Sequence, residues 1–314
     1  MQVFFDILKS SGKSGVILAL HILLPIMVLM MAFMRVLEDK GVLRRIALIL
    51  SPVFALFGLP GIGIFALLQI AFVSFAAPVS TLKIMDTNLH VTKRHIAATL
   101  AAIFTMSQAN AAIPLMAVGL NYPILTLSSF LGGLLAGFVT YRVFSKKLAS
   151  EHDKEEDNAI KDSVVKEKKG IMKIILEGAD EGFQIVLKSI PLLVLAILVV
   201  NILKKVGAIG LLERILSPVF TQVGIPGVAI LPIVTKFIAG GTAMMGVAME
   251  LRLENALSAI ELNRIAGLIV NPFDPVGVAI LSAAGKRVGE VVIPAVKGAL
   301  VGILFRAVFH FIIF

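Results

Sequence analysis

Shifted against itself by 166 residues, this sequence aligns its two halves without a gap. Leu50-Ser51-Pro52-Val53-Phe54 recurs as Leu216-Ser217-Pro218-Val219-Phe220, and Gly58, Pro60 and Gly61 recur as Gly224, Pro226 and Gly227. Pro25 meets Pro191, Gly41 meets Gly207, Gly119 meets Gly285, and Gly132 meets Gly298. Shared apolar composition alone would not keep helix-breaking residues in register from position 25 to position 132. The chain is a duplicated unit, and whatever it folds into must be built twice.

The solvent for that unit is lipid. Apolar residues make up 58% of the 314 and charged residues 16%, against about 45–50% and 25% in soluble domains. There is no cysteine, which excludes disulfides, thiolate nucleophiles and thiolate metal sites. The net charge of +9 would point to nucleic acid in a soluble protein. In a bilayer protein it reads as charge facing the cytoplasm and anionic lipid, with no nucleic-acid partner. Asp6, Lys9 and Lys13 precede the first apolar run, which is long enough to stay as a span, so no cleavable leader is expected.

A crossing helix needs about 20 apolar residues. Residues 15–34 form one such run, and 96–141 suffice for two joined by a turn at Gly119, Asn121 and Pro123. Residues 46–82 are too long for one helix and too short for two, and hold Pro52, Gly58, Pro60, Gly61 and Pro78. Irregular backbone is tolerated at membrane depth only where protein or water shields it, so this stretch is expected to form a re-entrant hairpin. The expected fold is thus all-α and integral to the membrane. It comprises a first repeat at residues 1–144, a charged cytoplasmic linker at 145–170 and a second repeat at 171–314. Each repeat has about three transmembrane helices plus the hairpin.

Three crossings is an odd number, so the second copy enters upside down. With the linker inside, Arg35, Lys40, Arg44, Arg45, Lys83, Lys93, Arg94, Arg142, Lys146, Lys147, Lys286 and Arg287 lie inside as well. Lys9, Lys13, Lys204, Lys205, Arg214, Arg252 and Arg264 lie outside. This bias favours two inverted repeats over parallel ones. The location expected is a prokaryotic cytoplasmic (inner) membrane.

Polar groups inside apolar spans cost free energy unless paired or wetted, which makes them candidates for function. Asn271-Pro272-Phe273-Asp274-Pro275-Val276-Gly277 breaks a helix, frees carbonyls and adds two side-chain acceptors. Broken helices of this kind build solute and ion sites near the midplane. The plainer reading is a kinked helix whose Asp274 pairs with a neighbour. The offset places Ser107-Gln108-Ala109-Asn110 opposite, with Gln108 matching Asp274. A second cluster runs from Thr235 to Thr242. There Gly240 and Gly241 permit close backbone approach, Thr242 offers a hydroxyl, and Lys236 can neutralise Asp274, bind an anionic group, or snorkel. Ser74 stands opposite Gly240 in the first copy.

Other chemistries find little support. His21 and His310 are too far apart for a local metal motif and read as packing residues, so no metal site is expected. The glycines at 58–63 lack the lysine of a phosphate loop. Neither a Ser/His/Asp triad nor a zinc pattern appears, and no enzyme activity is expected. The methionines are scattered as packing residues would be.

The unit Leu211-Leu-Glu-Arg-Ile-Leu-Ser-Pro-Val-Phe220, then Gly224-Ile-Pro-Gly227, then Gly240-Gly-Thr-Ala-Met-Met-Gly246, resembles the nucleoside recognition, or Gate, repeat. That repeat occurs in spore maturation proteins A and B, in the membrane part of FeoB-type iron transporters and, more distantly, in concentrative nucleoside transporters. The resemblance covers most of both halves, so the chain looks like two Gate repeats in one polypeptide. It implies hairpin tips near residues 74–80 and 240–244, facing helix breaks at 107–110 and 271–275, where the nucleoside transporters bind solute. The first tip, Phe75-Ala76-Ala77-Pro78, departs from those transporters in lacking polar side chains, and these residues include no GTPase domain of the kind FeoB-type transporters carry, so a FeoB protein is not expected.

The expected function is secondary-active transport of a small polar or charged solute by alternating access. Ser107, Gln108, Asn110, Lys236, Gly240, Gly241, Thr242, Asn271 and Asp274 are the expected lining. No cofactor is expected, although Asp274 suits a coupling H⁺ or Na⁺. The bilayer and the solute are the expected partners, and a homo-oligomer is compatible with the sequence. The rival reading is a non-transporting scaffold or regulatory component of the spore-maturation type.

Overall fold

The computed structural model describes residues 2–148, 170–207 and 227–314. Most of the charged linker and of the motif at 211–227 lies outside the described residues. All regular structure among the described residues is helical.

In the first repeat, α1 (Gln2–Ile17) and α2 (Leu24–Asp39) form one long helix joined by a π turn at Leu18–Leu23. The widened turn falls just before Pro25, whose missing N–H and ring break the regular bonding of the turn before it. After α3 (Val42–Ala55) come α4 (Gly61–Phe72) and α5 (Ala77–Thr87). These two arms are the re-entrant hairpin, tied together where Thr81 Oγ1 donates to Gln69 Oε1 at 2.6 Å. The hairpin therefore begins later than residue 46. The helix runs through Pro52 and stops at Ala55, and the turn after it ends at Gly58, whose φ of 75° is left-handed. α3 is a separate amphipathic helix with Leu43, Ala47 and Phe54 buried and Leu48, Ile49 and Val53 exposed.

α6 (Lys93–Thr105) and α7 (Ala109–Met116) are one crossing broken in its middle, and α8 (Tyr122–Val139) completes the copy. The second repeat reads α9 (Ile171–Lys205), α10 (Ile230–Leu253), α11 (Ala259–Ile269), α12 (Pro275–Ser282), α13 (Lys286–Glu290) and α14 (Val292–Ile313).

α10 is the second hairpin. Its Gly240 has φ 84° and ψ 179°, outside any helical conformation. The start of α10 (Ile230, Leu231) and its end (Glu250, Glu254) both lie by residues 199–205 of α9. Its middle, residues 239–242, lies by Leu192. A chain that leaves one end of α9, reaches its middle and returns is a re-entrant loop. Six helices among the described residues are long and apolar enough to cross a membrane, which makes this a multi-pass membrane protein. Gly227–Leu253 is counted among those six but turns back at Gly240. Residues 259–282, counterpart of Lys93–Met116, supply the remaining crossing as two half-helices.

The repeats are inverted, and the glycine contacts show it. Gly15 packs on Val194, Gly182 on Met27 and Val28, and Gly178 on Met31 and Ala32. Residue numbers rise on one helix as they fall on the other, so α1–α2 runs antiparallel to its own counterpart α9. α8 and α14 do the same: Gly132 faces the Gly302 carbonyl and Gly298 faces the Ala136 carbonyl. Adding 166 to 132 and subtracting it from 302 converts the first pair into the second. A contact that maps onto its own mate is what a two-fold axis in the membrane plane requires.

Small residues let these two helices approach closely. A Cβ at Gly302 would stand 2.5 Å from the Gly132 carbonyl oxygen and 2.8 Å from Ala136 Cβ. Gly302→Val is expected to destabilise the fold by about 1–3 kcal/mol through overpacking. Gly12→Ala, which meets nothing within 4 Å, should stay within about 0.5 kcal/mol of the parent. Chemical unfolding in detergent reads both, and equal effects would contradict the close-packed seam.

Basic residues tie the two repeats together at each end of the molecule. Arg94 donates to the Tyr141 carbonyl at 2.9 Å, Lys93 pairs with Glu290 at 2.7 Å, and Arg287 binds the Asp86 and Asn88 carbonyls. At the opposite end Arg252 Nε donates to the Val118 carbonyl at 2.8 Å, and the Asn121 amide donates to Asn263 Oδ1 at 2.7 Å.

Candidate functional site

The two broken crossings meet at the centre. α6 ends at Thr105 and α7 begins at Ala109, with Gln108 in extended conformation between them. α11 ends at Ile269 and α12 begins at Pro275, behind the extended Asp274. Phe104 and Phe273 touch edge to face, their ring centroids 6.0 Å apart. Each break leaves the N-terminus of a half-helix in the interior, with unsatisfied N–H groups and a partial positive charge. Asp274 answers this at α12, where its Oδ1 accepts from the Gly277 amide at 2.8 Å. Pro275 fits the first helical position because no N–H is needed there.

Against these breaks stands the second hairpin tip. A cavity of about 170 Å³ is lined by Gln108 and Asn110 from the first break and by Asp274, Val276 and Gly277 from the second. Residues 239–242 line it from the tip, Phe75 from the first tip and Leu192 from α9. A Cβ at Gly241 would overlap Gln108 Nε2, and one at Gly240 would stand 3.6 Å from Asp274 Oδ1. Glycine at 241 leaves room for Gln108, and glycine at 240 permits the φ of 84° at which the tip turns.

Lys236 lies one helical turn before Gly240 and is 0% exposed. Its ammonium donates to Asp274 Oδ2 at 2.5 Å and to the Asn271 carbonyl oxygen at 2.5 Å. Of the residues singled out from sequence, Gln108, Asn110, Gly240, Gly241, Thr242 and Asp274 border one cavity, with Lys236 behind it. Asn271 and Ser107 do not border it. The Asn271 amide donates to the Leu268 carbonyl at 2.7 Å, and its Oδ1 accepts from the Phe273 amide at 3.1 Å, so the side chain shapes the break itself. Ser107 is buried, and its backbone N–H donates to Ser129 Oγ at 2.9 Å.

Two groups escaped the sequence reading. Arg306 of α14 is 0% exposed, and its Nη1 donates to the carbonyls of Thr105 and Val270, which are the free C-terminal ends of the two half-helices. Nearby, His310 is held between Ser128 Oγ at 2.8 Å and the Asn263 carbonyl at 2.7 Å. The second group lies at the first hairpin, where Gln69 Nε2 donates to Glu38 Oε1 at 3.2 Å and Arg35 pairs with Glu38 at 3.0 Å. A glutamine matching Thr235 of the second copy was visible at the offset, but its partners were not. The two hairpins are consequently secured differently: the first arm-to-arm through Gln69 and Thr81, the second to a helix break through Lys236 and Asp274.

A family model described as Gate, nucleoside recognition, matches residues 20–122 and 186–300, one segment in each repeat. Solved structures with the same architecture include those of CNTnw, a concentrative nucleoside transporter. A double variant in an outward-facing state aligns with a TM-score of 0.66 at 18% identity, over 92% of this chain and 74% of that one. CNTnw in an inward-facing substrate-bound state aligns with a TM-score of 0.63 at 19% identity, over 92% and 74%. A variant in an intermediate state aligns with 0.60 at 16% identity, over 99% and 84%. Comparison with curated proteins by sequence gives no match.

Proposed function

The chain belongs to the Gate, or nucleoside recognition, family, and from that premise we propose that it is a secondary-active transporter of a small polar or charged solute, working by alternating access in a prokaryotic cytoplasmic membrane. One observation carries the reading. Two half-helix N-termini and one glycine hairpin tip converge on a small, largely apolar cavity that Gln108, Asn110, Thr242 and Asp274 border with polar groups. A purely structural kink has no need of a cavity at the meeting point of three chain interruptions. The proposed lining is Gln108, Asn110, Thr242, Asp274 and the Gly240–Gly241 backbone, with Lys236 as counter-charge and with Asn271 and Ser107 shaping the breaks. The inverted repeat supplies a route to both sides, since each half can present to one face what the other presents to the opposite face.

Purified protein in proteoliposomes, screened with labelled nucleosides, amino acids, organic acids and metal ions, tests this. Flux of one class above empty vesicles is expected. Gln108→Ala and Thr242→Ala should each reduce it by roughly tenfold, equivalent to about 1.4 kcal/mol of lost binding. Unchanged flux of an identified solute in both variants would refute the site. Absence of flux for every class would favour the scaffold reading.

A further inference from the structure

We propose that the Lys236 ammonium is a built-in cation, occupying a small-cation site formed by the second helix break and thereby removing any need for a dissolved ion there. The site's chemistry is that of a hard cation: one carboxylate oxygen from Asp274 and one backbone carbonyl from Asn271, both within 2.5 Å of a single positive centre. Carbonyls freed by a broken helix, together with a carboxylate, are what coupling ions use in discontinuous-helix transporters, and oxygen sets of this kind suit small hard cations. Here the positive charge arrives on the protein's own side chain, from a hairpin arm that packs directly over the break.

Charge balance shows why only one occupant fits. Asp274 carries one negative charge in a site where burial makes an uncompensated charge costly, and the ammonium supplies one positive charge. Both partners are nearly inaccessible, with side-chain exposures of 0% and 4%. A second cation at these oxygens would be disfavoured by repulsion from the ammonium. Arg306, the other buried cation of this region, donates through Nη1 to the Thr105 and Val270 carbonyls, while its Nε and Nη2 have no hydrogen-bond partner among the described residues. Removing the ammonium alone would leave the oxygens in place, a side-chain volume beside them, and a carboxylate with its counter-charge gone. Sodium or lithium would then be the natural replacement.

The site is inferred from geometry alone, whereas its consequence for coupling rests on the transport reading, and the two fail separately. Thermal unfolding of purified protein in detergent, titrated with NaCl, LiCl or KCl against choline chloride, tests the site without any substrate. The wild-type protein should melt at the same temperature in all four salts. Lys236→Ala should melt lower in choline and gain roughly 5 °C, saturably, in Na⁺ or Li⁺. Lys236→Arg, which restores the charge, and Lys236→Ala/Asp274→Asn, which removes the carboxylate, should each lose the response. If Lys236→Ala is recovered folded only when purified in Na⁺ or Li⁺, the proposal is equally supported. It is overturned if Lys236→Ala behaves alike in sodium and choline, if it folds in neither, or if the wild type shows a saturable sodium-specific shift. Once a solute is known, wild-type flux should be unchanged when choline replaces sodium, and a strict sodium requirement would overturn the coupling consequence alone.

Discussion

Asp274→Ala is expected to destabilise the protein by about 3–5 kcal/mol, the cost of leaving the partner of a buried pair uncompensated. Lys236 would keep its ammonium in a site with no exposure and with only the Asn271 carbonyl to receive it. α12 would also lose its cap, since Asp274 Oδ1 no longer accepts from Gly277, adding about 1 kcal/mol. The pair as a whole is a different matter. Desolvating two charges offsets most of their attraction, so replacing both at once often costs little. The double variant Lys236→Met/Asp274→Asn should therefore be more stable than Asp274→Ala, with asparagine retained as a cap. Unfolding midpoints in a common detergent give the comparison. An Asp274→Ala protein within about 1 kcal/mol of wild type would place the pair among weak, solvated ion pairs, in conflict with its burial.

This pair also marks how far the sequence could be read. The duplication, the second hairpin and the break at Asn271–Asp274 were legible because glycine and proline act locally: they forbid regular helix wherever the chain goes next. The offset then carried each feature into the other copy, and set Gln108 against Asp274. Lys236 stayed open between neutralising the carboxylate, binding an anion and snorkelling, since spacing along a helix does not say which neighbour faces it. The hairpin start was misplaced for a related reason. Pro52 reads as an interruption, yet the helix passes through it to Ala55, and the turn that ends it closes at Gly58, where the φ is left-handed and Tyr141 approaches closely. That approach depends on tertiary packing of a segment more than eighty residues away.

Arg306 was the least legible, and its substitution carries the second large expected effect. In sequence it shares the last apolar run with Lys297, is aligned at the offset with Thr140, and carries no motif that marks it. Packing of α14 antiparallel to α8 and α11 and parallel to α6 instead brings it to the centre. There one guanidinium nitrogen satisfies carbonyls at the ends of both half-helices. Those carbonyls carry the partial negative charge of a helix C-terminus, so a cation stabilises them twice, as hydrogen-bond donor and as counter-charge. Arg306→Met removes two charge-assisted bonds at about 1.5–3 kcal/mol each and leaves two buried acceptors unsatisfied. A loss of roughly 3–5 kcal/mol is expected. Because the residue joins the two breaks, its loss should also loosen them together: amide hydrogen exchange should rise at 105–110 and at 270–275 in the same variant. Gly298→Val, which crowds the same helix pair at Thr140 and the Ala136 carbonyl, should leave exchange at the breaks closer to that of the wild type. Protection lost at one break alone would show that Arg306 supports the two independently, and protection unchanged at both would remove it from the site's architecture.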